Sequence, residues 1–274
     1  RFPDPVLQQV ENFNSPIETA NDSFKSVSKY FDRITRPEQI LASLPQAIQL
    51  MLDPADCGPA TIAMSQDVQG ETFDYPEIFF EERIHEVRRV HPDPRQVKQA
   101  AEKLMNSKQP IIISGGGVLY SEAEEELSIF AKKHNIPVTS TVMGIGCMTR
   151  DDPYYISAVG ALGEGSSNSL SKDTDLALAI GTKLADFTTG SWANFENPNF
   201  KLVSVNTARF DTTKHLATSV ISDAKIGLQQ ISDALGDWRA PNTWYQRAIK
   251  ERDEWDAYVE KQSGPTNQEE PSYA

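Results

Sequence analysis

Two cysteines in 274 residues, Cys57 and Cys147, with no Cys-x-x-Cys pair, leave no disulfide framework and no cysteine-rich zinc site. The four histidines, His85, His91, His134 and His215, fall in unrelated segments without metal-ligand spacing, so hydrogen-bonded or solvated roles are expected of them. No apolar run approaches the roughly 20 residues that a membrane span requires, and the opening residues lack the pattern of a secretory signal. Positive charge is scarce as well. Against 39 Asp and Glu stand 26 Lys and Arg, a net charge of −13 that disfavours phosphate backbones and anionic membranes. Neither nucleic acid nor a membrane is an expected partner, and a reducing cytoplasm fits the cysteine usage. No nucleophile stands beside a candidate base, and acidic pairs such as Glu124–Glu125 and Asp151–Asp152 read as solvated faces and loops. No catalytic residue and no metal ligand is assigned from the sequence.

What is present is a set of short apolar runs. Residues 110–117, 136–146, 175–183 and 201–207 each carry three to five Ile, Val, Leu or Ala residues, followed by glycine or a small polar residue. Uninterrupted runs of this kind, spaced by helical patterns, predict parallel strands buried on both faces. The expected fold is α/β, with a central doubly wound, Rossmann-like parallel sheet and a partial flanking domain. In such sheets ligands sit beyond the carboxyl ends of the strands, where these glycines fall.

Residues 1–80 read as helix, helix, strand, loop, the tail of a domain, because one strand at 58–64 has no partner for its backbone groups. Thr35 and Glu38 have capping-box spacing ahead of an apolar face of Ile40, Leu41, Leu44, Ile48 and Met51, and Pro45 predicts a kink or break near Leu41. Residues 81–92 are charged, as a linker would be. The central domain is expected over 93–236, starting on an Asp93 cap with Pro94 at the first helical position and Val97, Ala100, Ala101, Leu104 and Met105 facing inward. Ser121 and Glu124 form a second capping-box spacing, with Ala123, Leu127, Phe130 and Ala131 inward. Helices are expected from Ser166 and from Asp223, and residues 237–274 are expected to hold a long polar helix and a linker. The start at Arg1 and the end at Ala274 suggest a piece of a longer protein.

Three places could hold a ligand. Gly115, Gly116 and Gly117 let backbone amides approach a phosphate, or else make a tight strand-to-helix turn. Gly181, Thr182 and Lys183, followed by Asp186, offer amides, a hydroxyl, a cation and a carboxylate that suit a nucleotide or a solvated loop. Asp223 caps a helix or contacts a ribose.

Across residues 19–39, 53–71, 113–123 and 181–192 the chain resembles the thiamine-diphosphate-dependent enzymes. The resemblance implies three α/β domains: the last part of a pyrimidine-binding domain at 1–80, a whole central domain at 93–236, and the approach to a diphosphate-binding domain at the end. It implies a hydrolase that opens a cyclic diketone by carbon–carbon cleavage in myo-inositol degradation, using thiamine diphosphate and Mg2+ held outside these residues, and acting as a cytoplasmic homo-oligomer. The family's activating glutamate and its Gly-Asp-Gly motif are absent here, so the chain by itself is expected to be inactive. In the related acetohydroxyacid synthases, positions matching Gly115, Gly116, Gly117, Gly181, Thr182, Lys183 and Asp223 bind FAD. Lys183 stands where those enzymes have arginine and cannot copy its two-pronged contact. A flavin-carrying transferase, and a purely structural nucleotide-type domain, are the alternatives.

Overall fold

A computed structural model describes residues 14, 15 and 17–264. The tail read at 265–274 and the start of the chain lie outside the described residues. Contacts divide the chain into two units, Arg1–Arg88 and Arg89–Ala274.

Among its described residues the first unit contains two strands, not one. β1 (Tyr30–Ile34) pairs in parallel with β2 (Ala60–Met64), Tyr30 opposite Ala60 through Ile34 opposite Met64. The segment expected to be helical before residue 35 thus supplies the missing partner, as its aromatic and β-branched residues favour. Between the strands runs α1 (Ile40–Met51). Its entry is held not by Glu38 but by Gln39, whose Oε1 accepts from the Thr35 amide at 2.6 Å and the Arg36 amide at 2.9 Å. The helix passes through Pro45 without a break. Ser43 and Ala47 face inward while Leu44 and Met51 are exposed, so the buried stripe lies one residue off the expected one. The reason is polar: the Ser43 hydroxyl donates to the Asp32 carboxylate on β1. A short α2 (Gln66–Gln69) lies in the following loop.

The second unit is a six-stranded parallel sheet. Its strands are β3 (Pro110–Ser114), β4 (Val138–Ser140), β5 (Tyr155–Ala158), β6 (Leu176–Ile180), β7 (Lys201–Asn206) and β8 (Thr218–Ile221), in spatial order β5-β4-β3-β6-β7-β8. Its helices are α3 (Pro94–Met105), α4 (Gly116–Tyr120), α5 (Glu124–His134), α6 (Gly165–Asp173), α7 (Asp186–Thr189), α8 (Arg209–Thr213), α9 (Ala224–Leu235) and α10 (Asn242–Ser263). Strand side chains alternate between two cores. Ile112, Leu178, Val203 and Val205 pack with Leu104 of α3, Phe130 of α5 and Ile231 of α9. Ile111, Ile113, Ala177 and Leu202 pack with Leu170 of α6 and Trp244 and Ala248 of α10. Helices therefore cover both faces, which makes the sheet doubly wound.

Several local expectations change. The edge strands β5 and β8 were not legible, being four residues each and partly polar. Ser121 does not start α5, whose cap is Ala123. It closes α4 instead, and its hydroxyl accepts from the Ala224 amide at 3.3 Å. Met105 is exposed. The helix placed in a connecting segment after residue 236 is part of this unit. Trp244, 3% exposed, donates its indole N–H to the Pro110 carbonyl at 2.8 Å, and Ala248 follows it one turn later on the same face. Asp93 does cap α3, accepting from the Arg95 amide at 2.8 Å. Among the described residues no helix is long and apolar enough to cross a membrane.

His134 ties α5 to α9. It is fully buried, with Nδ1 donating to the Trp238 carbonyl at 2.8 Å and Nε2 accepting from the Ser232 hydroxyl at 2.9 Å. Burial, and secondarily Lys133 and Arg239, push its pKa down, so the folded ring stays neutral. Below about pH 6.5 the unfolded chain takes up a proton here that the folded chain refuses; stability is full above that pH and falls as pH drops, by up to about 1.4 kcal/mol per pH unit. Urea midpoints measured from about pH 7 down to about pH 5 should fall in the parent and fall less steeply in His134→Gln. His215, lowered by partial burial and by Lys214, keeps some slope in the variant. Equal slopes would mean that His134 is not held neutral.

Candidate functional site

Successive connections run one way from β3 to β4 to β5 and the other way from β6 to β7 to β8. The reversal falls between β3 and β6, and the crevice beyond their carboxyl ends is where a doubly wound sheet takes a ligand. The sequence-selected residues gather at these strand ends: Gly115–Gly117 after β3, Gly181–Lys183 after β6 and Asp223 after β8.

At the reversal the two loops do not part; they continue the sheet ladder. The Gly115 amide donates to the Ile180 carbonyl at 2.8 Å, the Gly117 amide to the Gly181 carbonyl at 2.9 Å, and the Gly181 amide to the Val205 carbonyl at 2.9 Å. Side chains have no room in this crossing. A Cβ on Gly115 would stand 2.4 Å from the Gly181 carbonyl oxygen, and one on Gly117 would stand 2.6 Å from the Gly181 Cα. Gly181 also has φ +59°, a conformation that glycine reaches without strain. Gly116 differs. Its Cβ would stand 3.2 Å from the Met143 carbonyl oxygen, with the Met143 Cβ at 3.6 Å and the Tyr120 ring at 3.7 Å in ordinary contact.

The polar residues are likewise engaged by the fold. Thr182 is buried, its hydroxyl accepts from the Leu184 amide at 3.1 Å and its carbonyl from the Asn206 side chain at 3.2 Å. Lys183 is exposed. Asp186 caps no strand end; its carboxylate accepts from the Ser191 hydroxyl at 2.7 Å. Asp223 caps α9, accepting from the Lys225 amide at 3.0 Å and the Ile226 amide at 3.3 Å. Both its oxygens also receive Arg89 Nη1, at 3.2 and 3.1 Å. The same Arg89 nitrogen donates to the Ser121 carbonyl at 2.7 Å. Sequence reasoning left Arg89 in a solvated linker, because its partner lies 134 residues away and no local pattern marks such a pair. Cys147 sits beneath the glycine turn, its thiol 3.5 Å from the Gly115 carbonyl. Burial pushes that thiol up to about 11, so it is no nucleophile at neutral pH.

A ring nucleotide or flavin would need free amides at the turn and a free carboxylate at α9. The amides of Gly115 and Gly117 and the Asp223 carboxylate have partners within the chain, so these residues do not fit such a cradle. Among the described residues no group of three or more His, Cys, Asp and Glu side chains could hold a metal ion.

Fold and site together define a doubly wound central domain whose strand-end crevice is filled by its own backbone. Residues 97–231 match the family model described as thiamine pyrophosphate enzyme, central domain, and the chain belongs to the thiamine pyrophosphate enzyme family through that domain. It is 41% identical over 256 residues, 93% of its length, to 3D-(3,5/4)-trihydroxycyclohexane-1,2-dione hydrolase of Clostridium tetani, and 42% identical over 256 residues to the protein of that name in Bacillus licheniformis. The chain spans 40% of the length of each. Among solved structures, benzoylformate decarboxylase from Polynucleobacter necessarius superposes with a TM-score of 0.65, covering 85% of this chain and 43% of that one. At 23% identity that likeness concerns the fold.

The crossing predicts an ordering of glycine variants. Gly117→Ala and Gly181→Ala should each cost about 2–4 kcal/mol, from overpacking at both sites and left-handed strain at the second. Gly116→Ala should cost under about 1 kcal/mol, since only the Met143 carbonyl must give, by a few tenths of an ångström. Urea unfolding of the three variants measures this, and equal costs at 116 and 117 would refute the crossing as the reason for glycine.

Proposed function

We propose that this chain works as the central part of a thiamine-diphosphate-dependent hydrolase that opens the ring of 3D-(3,5/4)-trihydroxycyclohexane-1,2-dione by carbon–carbon cleavage to 5-deoxyglucuronate in myo-inositol degradation. The observation that carries this reading is the 41% identity over 256 residues to a hydrolase of that name. Thiamine diphosphate, when bound with Mg2+, supplies the carbanion chemistry. The groups that hold it belong, on this reading, to parts of the enzyme other than the residues described here.

What this chain contributes is position. A sheet buried on both faces, with its strand-end loops hydrogen-bonded to each other, is a stiff body that keeps its shape without a ligand. On this reading residues 1–80 are the end of the pyrimidine-binding domain, 81–92 the linker, 93–236 the central domain, and 237–274 the lead to the diphosphate-binding domain, with α10 packed back onto the central sheet. The enzyme acts as a cytoplasmic homo-oligomer. The glycine turns and Asp223 serve the fold, and the flavin-carrying transferase gains no support from them.

The intact gene product, given thiamine diphosphate and Mg2+, should consume the dione, while the chain alone should give no turnover above a cofactor-only blank. Calorimetric titration of the chain with FAD, ADP and NAD should release no saturable heat. Turnover by the chain alone would overturn the assignment of the chemistry to other parts of the enzyme, and tight FAD binding would move the reading to the flavin-carrying transferase.

A further inference from the structure

The sheet of the second unit ends in β5 on one side and β8 on the other, each paired to a single neighbour. A free strand edge presents a row of carbonyls and amides that templates pairing with another strand, and an apolar edge is the more hazardous kind. β5 is of that kind, with Tyr155, Ile156 and Ala158 buried in the unit.

Edge groups of both strands meet partners that are not strands. On β5, Arg150 Nη1 donates to the Ile156 carbonyl at 3.0 Å, the Glu164 amide donates to the Ala158 carbonyl at 2.9 Å, and Arg252 Nη1 reaches the Tyr155 carbonyl at 3.4 Å. On β8, the Ile221 amide donates to Gln96 Oε1 on α3 at 3.1 Å, and the Asp223 amide just beyond it donates to the Val90 carbonyl at 2.9 Å. Arg150 is itself fixed by two carboxylates from different elements, Glu164 at 3.4 Å and Asp256 on α10. The planar guanidinium holds these acceptors from two nitrogens in a fixed fork, Nη1 on Ile156 and Glu164 and Nη2 on Asp256, a geometry that the point charge of an ammonium does not copy.

We propose that Arg150 and Gln96 close the two edges of the central sheet and so keep it from adding, strand to strand, onto a second copy of the chain. Arg150 carries the larger share, since β5 is the apolar edge.

The test uses the whole chain. Arg150→Met keeps the apolar stem and removes the donors; Glu164→Gln weakens an ion pair but leaves the Ile156 contact. Light scattering and size-exclusion chromatography are compared at equal distances below each protein's own melting temperature. Arg150→Met should associate several-fold faster than the parent, with a new intermolecular β band in the infrared, and Glu164→Gln should stay near the parent. Should Arg150→Met fail to fold, Gln96→Met makes the same comparison at β8. A monodisperse edge variant, or equal association by Arg150→Met and Glu164→Gln after matching, would overturn the proposal.

Discussion

The close approach of two backbones at the reversal of the sheet is the contact on which the second unit depends. β3 and β6 are neighbours in space but 66 residues apart at their first positions, Pro110 and Leu176 being register partners across an intervening pair of strands and three helices. Nothing local holds them together past their last strand residues. What does is the exchange between the Gly115 and Gly117 amides and the Ile180 and Gly181 carbonyls, which needs three positions without side chains. With the crossing made, β4 and β5 can build outward on one side and β7 and β8 on the other, and each half receives helices on both faces.

The same crossing decides what the carboxyl edge can do. Backbone amides that would face a ligand's phosphate are consumed by the sheet ladder, and the helix-capping carboxylate of Asp223 is neutralised by Arg89. The buried thiol of Cys147 is kept protonated beneath the turn. The Gly115 and Gly117 amides, the Thr182 hydroxyl and the Asp223 carboxylate are thus satisfied internally, as buried polar groups must be. The outcome is a body specified by its packing.

Much of this was legible in the sequence, and the failures have physical causes. Four strands of the second unit announced themselves by apolar residues, and the unbroken runs Ile111–Ile113 and Leu176–Ile180 needed no context to be read. β5 and β8 escaped because an edge strand can be short and partly polar, as Tyr155–Ala158 and Thr218–Ile221 are. β1 escaped because Asp32 and Arg33 interrupt its apolar residues, and those charges are accounted for by partners at Ser43 and Asp22 that lie far off in sequence. The caps read from spacing alone were half right: Asp93 and Asp223 cap as expected, whereas Glu38 and Ser121 yield to Gln39 and Ala123, because capping-box spacing does not say which residue leaves the helical conformation. The site residues were located at the correct strand ends. Their spacing could not say whether the glycines made room for a ligand or for each other, since both demands select the same residue.

Native-state hydrogen exchange at Gly115 and Gly117 addresses this point directly, because it reads the two amides in the ligand-free chain. The crossing predicts protection close to that of the β3 and β6 amides, opening only with the sheet. Exchange on the timescale of an exposed loop, while Ile112 and Leu178 stay protected, would contradict it and leave the turn open to a ligand.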